Sequence, residues 1–401
     1  MALNPRAAPT RRARTASPTR STLLLLAGLA TGCGAPAPAA EPPPGIDAEI
    51  LRGRELVISR DCGGCHGRGM NPGAEGWLAG RSLDVEAQFA GAFRVWPRNL
   101  TPDDETGLGR YSERQIFNAL RFGLRPGATP DVEITSPVPG EGNHPRDPDY
   151  LAPMMPWLSW RHLADDDLRA IAAYLKRGLR PVEHRSPEPE APPDRWAAEF
   201  AFQRIGSHKL PPFPTAQEEV SEPERLEEIL LGRVVVATTA CGMCHGSGVH
   251  PGQEGWLRGI DDPSQEWAIG PYTTRPRNLT PDNLTGLGRF SERQLYNALR
   301  FGLRPGETAD VEITSPVPGE GGHPLHPKYM APPMPWLAWR HLPDEELRAA
   351  VAYLKFGLKP VHHRVADSEG PPDFWAAAYL ADALGSFAIP DFPTEHERRP
   401  E

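Results

Sequence analysis

The segment Cys62-Gly-Gly-Cys65-His66-Gly recurs as Cys241-Gly-Met-Cys244-His245-Gly, an offset of 179 residues from position 62 to position 241. The same offset holds without a gap through 98–103 and 277–282, 106–110 and 285–289, and 155–157 and 334–336. Two copies are too few for a solenoid, in which repeats share one continuous core, so we expect each repeat to close its own core. The sequence therefore predicts two tandem domains, residues 46–222 and 225–401, each of ordinary domain size.

Each copy carries the pattern Cys-X-X-Cys-His, which is typical of covalent haem c attachment. The cysteines form thioether bonds to the porphyrin, and the histidine that follows binds the iron. A thioredoxin-like redox pair, a zinc knuckle and a disulfide also use Cys-X-X-Cys, but none of them needs a histidine after both copies. We therefore predict two haem c groups, with His66 and His245 as iron ligands. The attachment residues are Cys62, Cys65, Cys241 and Cys244.

A downstream methionine is the expected second iron ligand, since cytochromes c commonly use a His/Met pair. Met155 and Met334 occupy the same repeat position, whereas the neighbouring Met154 has Pro333 as its counterpart. We therefore predict Met155 and Met334 as the distal ligands. Paired histidines leave bis-His ligation open as an alternative; they are His144 with His323, and His162 with His341.

The spacing of apolar residues predicts an all-α fold with three main helices in each repeat. The first, at about 46–60, leads into the haem motif and holds Gly53 in its middle, which indicates a close helix crossing. Ser112 and Gln115 form the pattern of a capping box for the second, which ends at Gly123. Asp165–Asp167 stand at the start of the third, whose apolar side chains follow a helical period.

Long Pro/Gly-rich segments separate the second and third helices, at 125–153 and 304–332, and the chain holds 48 prolines. Connections of this length are uncommon, and we expect these loops to wrap the haem edge. Residues at equivalent positions are candidates to bond haem propionates or to wall the haem, with ordinary core or surface roles equally open. They are Arg98, Asn99, Arg277 and Asn278 for the propionates, and Trp157, Trp160, Trp336 and Trp339 for the walls.

The N-terminus has the pattern of a signal peptide over residues 1–32, with five arginines, no acidic residue and a short apolar run at 23–30. That run is too short to span a bilayer. Ala30-Thr31-Gly32-Cys33 resembles a bacterial lipobox, in which the cysteine is lipidated and becomes the first residue. Residues 33–45 would then be a lipid anchor with a Pro/Ala-rich tether. An ordinary cleavage site with a stray thiol at Cys33 is the alternative.

The formal net charge of −9 becomes more negative when the five arginines of residues 1–32 are removed. An acidic surface argues against nucleic acid or anionic lipid as a partner and favours docking onto a basic patch. Charge that serves solubility alone explains the balance equally well. Membrane contact is expected only through the N-terminal lipid.

The order of these motifs resembles the class I cytochrome c superfamily, and more narrowly the haem domains of cytochrome c subunits of bacterial alcohol, gluconate and related dehydrogenases. The resemblance covers about 50–182 and 229–361. It implies an all-α fold and electron transfer, with His66 and His245 proximal and Met155 and Met334 distal. Those subunits usually carry three haems and a C-terminal membrane helix, whereas this sequence has two motifs and no comparably apolar segment.

The favoured function is a periplasmic one-electron carrier rather than an enzyme. Its donor would be a dehydrogenase or respiratory complex, and its acceptor another cytochrome or an oxidase. The alternative is a di-haem cytochrome c peroxidase, which needs two unlike haems, whereas the two repeats keep the same ligand residues. A haem-based sensor would need an output domain, for which little chain remains.

Overall fold

Helices form most of the regular structure, in agreement with the predicted all-α class. The computed structural model describes residues 47–81, 88–90, 93–188, 205, 207–246, 248–263, 266–269, 272–367, 384 and 387–400. The predicted signal peptide, Cys33 and the tether to residue 45 lie outside these residues.

The same series of elements occurs in both repeats. The helices of the first are α1 (Ala48–Ser59), α2 (Cys62–His66), α3 (Glu113–Phe122), α4 (Trp157–Trp160) and α5 (Asp165–Ala173), which continues as a π-helical turn (Tyr174–Gly178). Those of the second are α6 (Leu226–Thr238), α7 (Cys241–His245), α8 (Glu292–Phe301), α9 (Trp336–Trp339) and α10 (Asp344–Phe356). Short 3-10 turns lie at Pro126–Ala128, Pro223–Arg225 and Pro305–Glu307.

Two short antiparallel hairpins were not predicted from the sequence. Strand β1 (Gln88–Ala90) pairs with β2 (Phe93–Val95), and β3 (Trp267–Ile269) pairs with β4 (Tyr272–Thr274). Each strand has three residues, which is too short to produce a recognisable alternation of apolar and polar side chains.

Helix α3 begins and ends as its capping residues predict. The Ser112 hydroxyl accepts the backbone N–H of Gln115 at 3.1 Å, and the Gln115 side chain accepts the N–H of Ser112 at 3.1 Å. Gly123 ends the helix with φ of +73°, and a Cβ there would lie 2.2 Å from the Trp157 ring. A glycine is therefore required both by the left-handed backbone and by the packing of the tryptophan.

Close helix crossings occur where the mid-helix glycines predict them. A Cβ on Gly53 of α1 would lie 1.9 Å from the carbonyl oxygen of Ala170 in α5. In the second repeat, a Cβ on Gly232 would lie 1.8 Å from the carbonyl oxygen of Ala349 in α10. The N-terminal helix of each repeat thus packs backbone to backbone on the last helix. This close contact explains why a glycine stands mid-helix, although glycine weakens an isolated helix.

Two segments of chain are exchanged between the repeats; we call residues 211–218 the first tail and 390–397 the second tail. In the second tail, the buried Glu397 accepts a hydrogen bond from Arg54 Nε at 2.6 Å and one from the Tyr174 hydroxyl at 2.5 Å. These partners belong to α1 and to the turn after α5, in the first repeat. The end of the second repeat therefore completes the core of the first.

The first tail makes the reciprocal contacts. Its buried Glu218 accepts hydrogen bonds from Arg233 Nε at 2.6 Å and from the Tyr353 hydroxyl at 2.7 Å, both in the second repeat. The described residues accordingly fall within one compact unit. The sequence led us to expect that each repeat would close its core alone, and for the tails this is wrong. The domain limits 46–222 and 225–401 remain predictions.

Candidate haem-binding site

A partly open cavity of about 610 Å³ lies in the first repeat, and several elements contribute residues to its wall. Helix α2 supplies Cys62, Cys65 and His66, and the turn before α4 supplies Met155. Apolar residues of α3, of α5 and of the π-helical turn after α5 also line the cavity; they include Ile116, Leu120, Ile171 and Leu175. The structure thus brings together the four residues that the sequence predicts for haem in this repeat, beside an apolar wall typical of a cofactor pocket.

The His66 ring is held by one hydrogen bond. Its Nδ1 lies 2.7 Å from the carbonyl oxygen of Arg98, and because a carbonyl only accepts, Nδ1 carries the proton and donates. Nε2 is left with the lone pair that a metal ion needs. Burial lowers the pKa of His66, which also favours the neutral ring. His245 repeats this bond, with its Nδ1 at 2.7 Å from the carbonyl oxygen of Arg277.

A tight turn presents the motif cysteines. Asp61 before the motif has φ of +60°, and a Cβ on Gly63 would lie 1.8 Å from the carbonyl oxygen of Gly69. Burial raises the pKa of the Cys62 thiol to about 12 and that of Cys241 to about 11. Such thiols are mostly protonated near neutral pH, unlike the low-pKa nucleophile of a redox Cys-X-X-Cys pair.

Both methionines of the Met154–Met155 pair line the cavity, but they differ in burial. Met154 is 44% exposed, whereas Met155 is partly buried and packs against the apolar core. Backbone bonds hold the turn at Met155, whose N–H donates to Ala152 at 3.0 Å and whose carbonyl accepts from Trp157 at 2.8 Å. Met334 makes the same two bonds in the second repeat. Iron ligation by Met155 and Met334 remains a prediction.

Among the described residues that line the cavity, neither first-repeat histidine of the bis-His alternative occurs; these are His144 and His162. His144 is buried and meets Phe122 edge-on with ring centroids 5.8 Å apart. His162 Nδ1 donates to the carbonyl oxygen of His208 at 2.7 Å, and burial lowers the pKa of His162 to about 3. These positions favour packing roles over bis-His ligation.

The propionate candidates have other partners. Asn99 donates to the Val182 carbonyl at 2.7 Å and accepts the Thr101 N–H at 2.9 Å, so its amide is used to fix the loop. Arg98 is paired with Glu188. For Asn99 the propionate interpretation is therefore not supported. Arg125 was not predicted as a site residue, but it lines the cavity. Burial lowers the pKa of its guanidinium.

Arg125 and its counterpart Arg304 in the second repeat differ in their neighbouring residues, and the sequence already shows this difference. Arg304 is neutralised by Glu307 at 2.7 Å, whereas the residue equivalent to Glu307 is Ala128. In the part of the chain that the structure describes, the Arg125 side chain has no hydrogen-bonded partner. The carboxylates of Asp149 and Glu188 act on Arg125 electrostatically, and its place on the cavity wall would also allow it to pair with an anionic group such as a propionate.

Residues of the second repeat complete the wall of this cavity. They are Thr239, Ala240, Pro335 and Trp339. Thr239 and Ala240 directly precede the second Cys-X-X-Cys-His motif, and their counterparts Arg60 and Asp61 line the same cavity. The two haem motifs therefore adjoin one another across the boundary between the repeats. In the described residues, no helix has the length and apolar character needed to cross a membrane.

No protein-family model matches the chain. It is 26% identical over 342 residues to the fructose dehydrogenase cytochrome subunit of Gluconobacter japonicus, covering 84% of this chain and 57% of the relative. It is 26% identical over 324 residues to the gluconate 2-dehydrogenase cytochrome c subunit of Pantoea cypripedii, covering 77% and 59%. It is also 26% identical over 331 residues to a diheme cytochrome c-type protein of Cereibacter sphaeroides, covering 78% and 86%.

The match spans less than two thirds of the two dehydrogenase subunits. The resemblance that the motifs predicted is nevertheless confirmed, because the relatives are cytochrome c subunits of the expected dehydrogenases. The chain is thus similar to the cytochrome c subunits of fructose and gluconate dehydrogenases and to a diheme cytochrome c-type protein.

Proposed function

We propose that this chain is a di-haem c-type cytochrome that carries single electrons, with His/Met-ligated iron in each repeat. The observation that carries the proposal is the first cavity, where the two motif cysteines, His66 and Met155 line one largely apolar space. A sulfur pair for covalent attachment, with a histidine and a methionine as axial ligands, is the donor set of a His/Met-ligated haem c.

Each residue has a separate task in this assignment. Cys62 and Cys65 hold the porphyrin through thioether bonds, and His66 offers Nε2 because Arg98 fixes its Nδ1 proton. The Met155 sulfur would occupy the second axial position, a ligand that raises the reduction potential relative to a second histidine. Bound haem supplies a one-electron couple, and the surrounding apolar wall restricts water at the iron.

The second repeat has the equivalent residues for a second haem. Cys241 and Cys244 stand on α7, His245 repeats the carbonyl hydrogen bond, and Met334 repeats the backbone turn of Met155. The name of the diheme relative is consistent with this number. Because the two repeats have the same ligand residues, we favour two electron-carrying haems. A di-haem peroxidase would need two haems with different roles.

The proposed electron donor is a dehydrogenase. Two of the relatives are named as cytochrome subunits of dehydrogenases, and we infer that this chain likewise accepts electrons from a dehydrogenase without acting on its substrate. The acceptor would be another cytochrome or an oxidase. A net charge of −9 favours a basic docking surface on either partner.

The proposed location is the periplasmic side of a membrane. The supporting features are the arginine-rich start, the apolar run at 23–30 and the lipobox-like residues that end at Cys33. Mass spectrometry of the mature protein tests this proposal. A diacylated Cys33 at the N-terminus is the expected result, and an unmodified start elsewhere would contradict lipidation.

Haem content and ligation test the proposed function directly. Purified protein from a host with cytochrome c maturation is expected to hold two covalent haems per chain by the pyridine haemochrome assay. The oxidised protein should show the weak far-red band of Met-ligated ferric haem. High-spin iron with rapid consumption of hydrogen peroxide would instead favour the peroxidase, and a chain without covalent haem would refute both.

A further inference from the structure

Arg60 is a buried cation at the boundary between the two haem motifs. It follows α1 and lies two residues before Cys62, and its side chain is only 3% exposed. It lines the first cavity together with Thr239 and Ala240, which directly precede the second motif. The guanidinium is thus placed between two proposed haem sites, on a wall that the repeats share.

The charge of Arg60 is only partly compensated. Its Nη2 lies 3.4 Å from a Glu346 carboxylate oxygen and its Nη1 lies 3.4 Å from the Ser59 hydroxyl, both long for hydrogen bonds. Among the described residues, its buried Nε has no hydrogen-bond partner. Burial lowers the pKa of Arg60 despite the nearby Glu346. A cation in this position exerts a strong local field, because little solvent screens it.

That field reaches both motifs. Burial is the largest cause of the raised thiol pKa values of Cys62 and Cys241, and in each case the positive charge of Arg60 opposes the rise. Asp61 acts in the other direction at Cys62. Arg60 therefore lies within electrostatic range of the attachment residues of both repeats, although it belongs to the first.

Arg60 has no charged equivalent at the same position of the second repeat. Its counterpart is Thr239, whose hydroxyl donates to the Val235 carbonyl at 2.8 Å and carries no charge. The partner Glu346 belongs to α10 in the second repeat, so the pair joins the two halves. At this pair of equivalent positions in the described residues, the first repeat has a buried cation and the second repeat has an uncharged threonine.

We propose that Arg60 raises the reduction potential of the haem at the first motif, and to a smaller extent that of the haem at the second. The inference rests on the proposed haem attachment at both motifs. Oxidised haem carries one more positive charge than reduced haem. A nearby buried cation therefore destabilises the oxidised form and favours the reduced form.

Three variants separate the field of Arg60 from other effects. Arg60→Thr installs the residue of the second repeat, and Arg60→Lys keeps the charge. Arg52→Leu is the matched control, because Arg52 also pairs with Glu346, at 3.4 Å, but is 34% exposed and does not line the cavity. Its own counterpart in the second repeat is Leu231.

The experiment is a potentiometric titration of the purified holoprotein, followed by visible absorbance after haem content has been measured. In Arg60→Thr, the reduction potential of the first haem is expected to fall by about 59 mV. For one electron, this is about a tenfold change in the equilibrium constant. Arg60→Lys and Arg52→Leu should each shift this potential by less than half as much. A Met155→Leu variant identifies the step of the first haem, because it removes a ligand from that haem alone.

Unchanged potentials in Arg60→Thr, or an equal shift in Arg52→Leu, would overturn the proposal. If Arg60→Thr fails to retain two haems, Glu346→Gln decides. Removal of the carboxylate that opposes Arg60 should raise the potential of the first haem, and no change or a fall would overturn the assignment. Absence of covalent haem in the wild-type chain would refute the proposed function itself.

Discussion

At the residue scale, Met154 and Met155 present two neighbouring sulfurs to one cavity. Met155 is the more buried and has Met334 as its counterpart, whereas Met154 is 44% exposed and has Pro333. We expect Met155→Ala to abolish the far-red ferric band of the first haem and to lower its potential. Met154→Ala is the matched control and should keep both properties. Loss of the band in Met154→Ala alone would assign the ligand to Met154.

The side chain of Asn99 uses all four of its hydrogen-bonding positions within the loop around it. It is 2% exposed and bonds Val182, Thr106 and Thr101. Asn99→Ala leaves buried groups without partners and should lower the free energy of unfolding by about 2–3 kcal/mol. Asn278→Ala, with the equivalent bonds, should cost a similar amount. Chemical denaturation measures both free energies. A shifted reduction potential of the first haem without loss of stability would restore a propionate role for Asn99.

At the scale of the elements, helix packing depends on Gly53. A Cβ there would lie 1.9 Å from the Ala170 carbonyl oxygen, so Gly53→Ala must push α1 away from α5. We expect a loss of about 2–3 kcal/mol in unfolding free energy, even though alanine favours an isolated helix. Gly306→Ala is the control, because a Cβ at that position meets Phe290 only at 3.5 Å. Equal stability of the two variants would contradict the crossing.

How far the sequence predicts the structure depends on the range of the interaction. The capping box of Ser112 and Gln115, the stop at Gly123 and the crossing at Gly53 follow from patterns within one or two turns, and all are confirmed. The hairpins were missed because three-residue strands leave no periodic signal. Arg60 was missed because its environment comes from Glu346, which lies far along the chain.

At the scale of the whole molecule, the exchanged tails could not be predicted because the repeat makes them ambiguous. Arg54 and Glu397 are separated by 343 positions, and the sequence of the second tail resembles that of the first. Either tail has a Phe-Pro-Thr segment followed by a glutamate that can complete a core. Only the three-dimensional path of the chain decides which repeat each tail enters, and a pairwise comparison of the repeats carries no information on that path.

The second tail should stabilise a core that lies far from it in sequence. Glu397 is fully buried beside Arg54, and loss of one charge from a buried pair is strongly destabilising. We expect Glu397→Gln to lower the unfolding free energy by about 3 kcal/mol. Glu395→Gln is the control, because the Glu395 side chain is 78% exposed and should matter little. Similar melting curves for the two variants would show that the exchange contributes nothing to stability.

Exchange of the tails also predicts how one repeat would behave alone. A chain of residues 47–222 lacks the second tail but keeps the first, whose Phe213, Thr215 and Glu218 match Phe392, Thr394 and Glu397. The first tail leaves its own repeat in the full chain, so two copies can complete each other by the same exchange. We expect this chain, matured with haem, to form a dimer by light scattering after size exclusion. Glu218→Gln should weaken the dimer, since it removes the buried partner that Arg54 would need. A stable, folded monomer would mean that the tail can turn back into its own repeat, and the exchange would then be a consequence of the covalent link between the repeats.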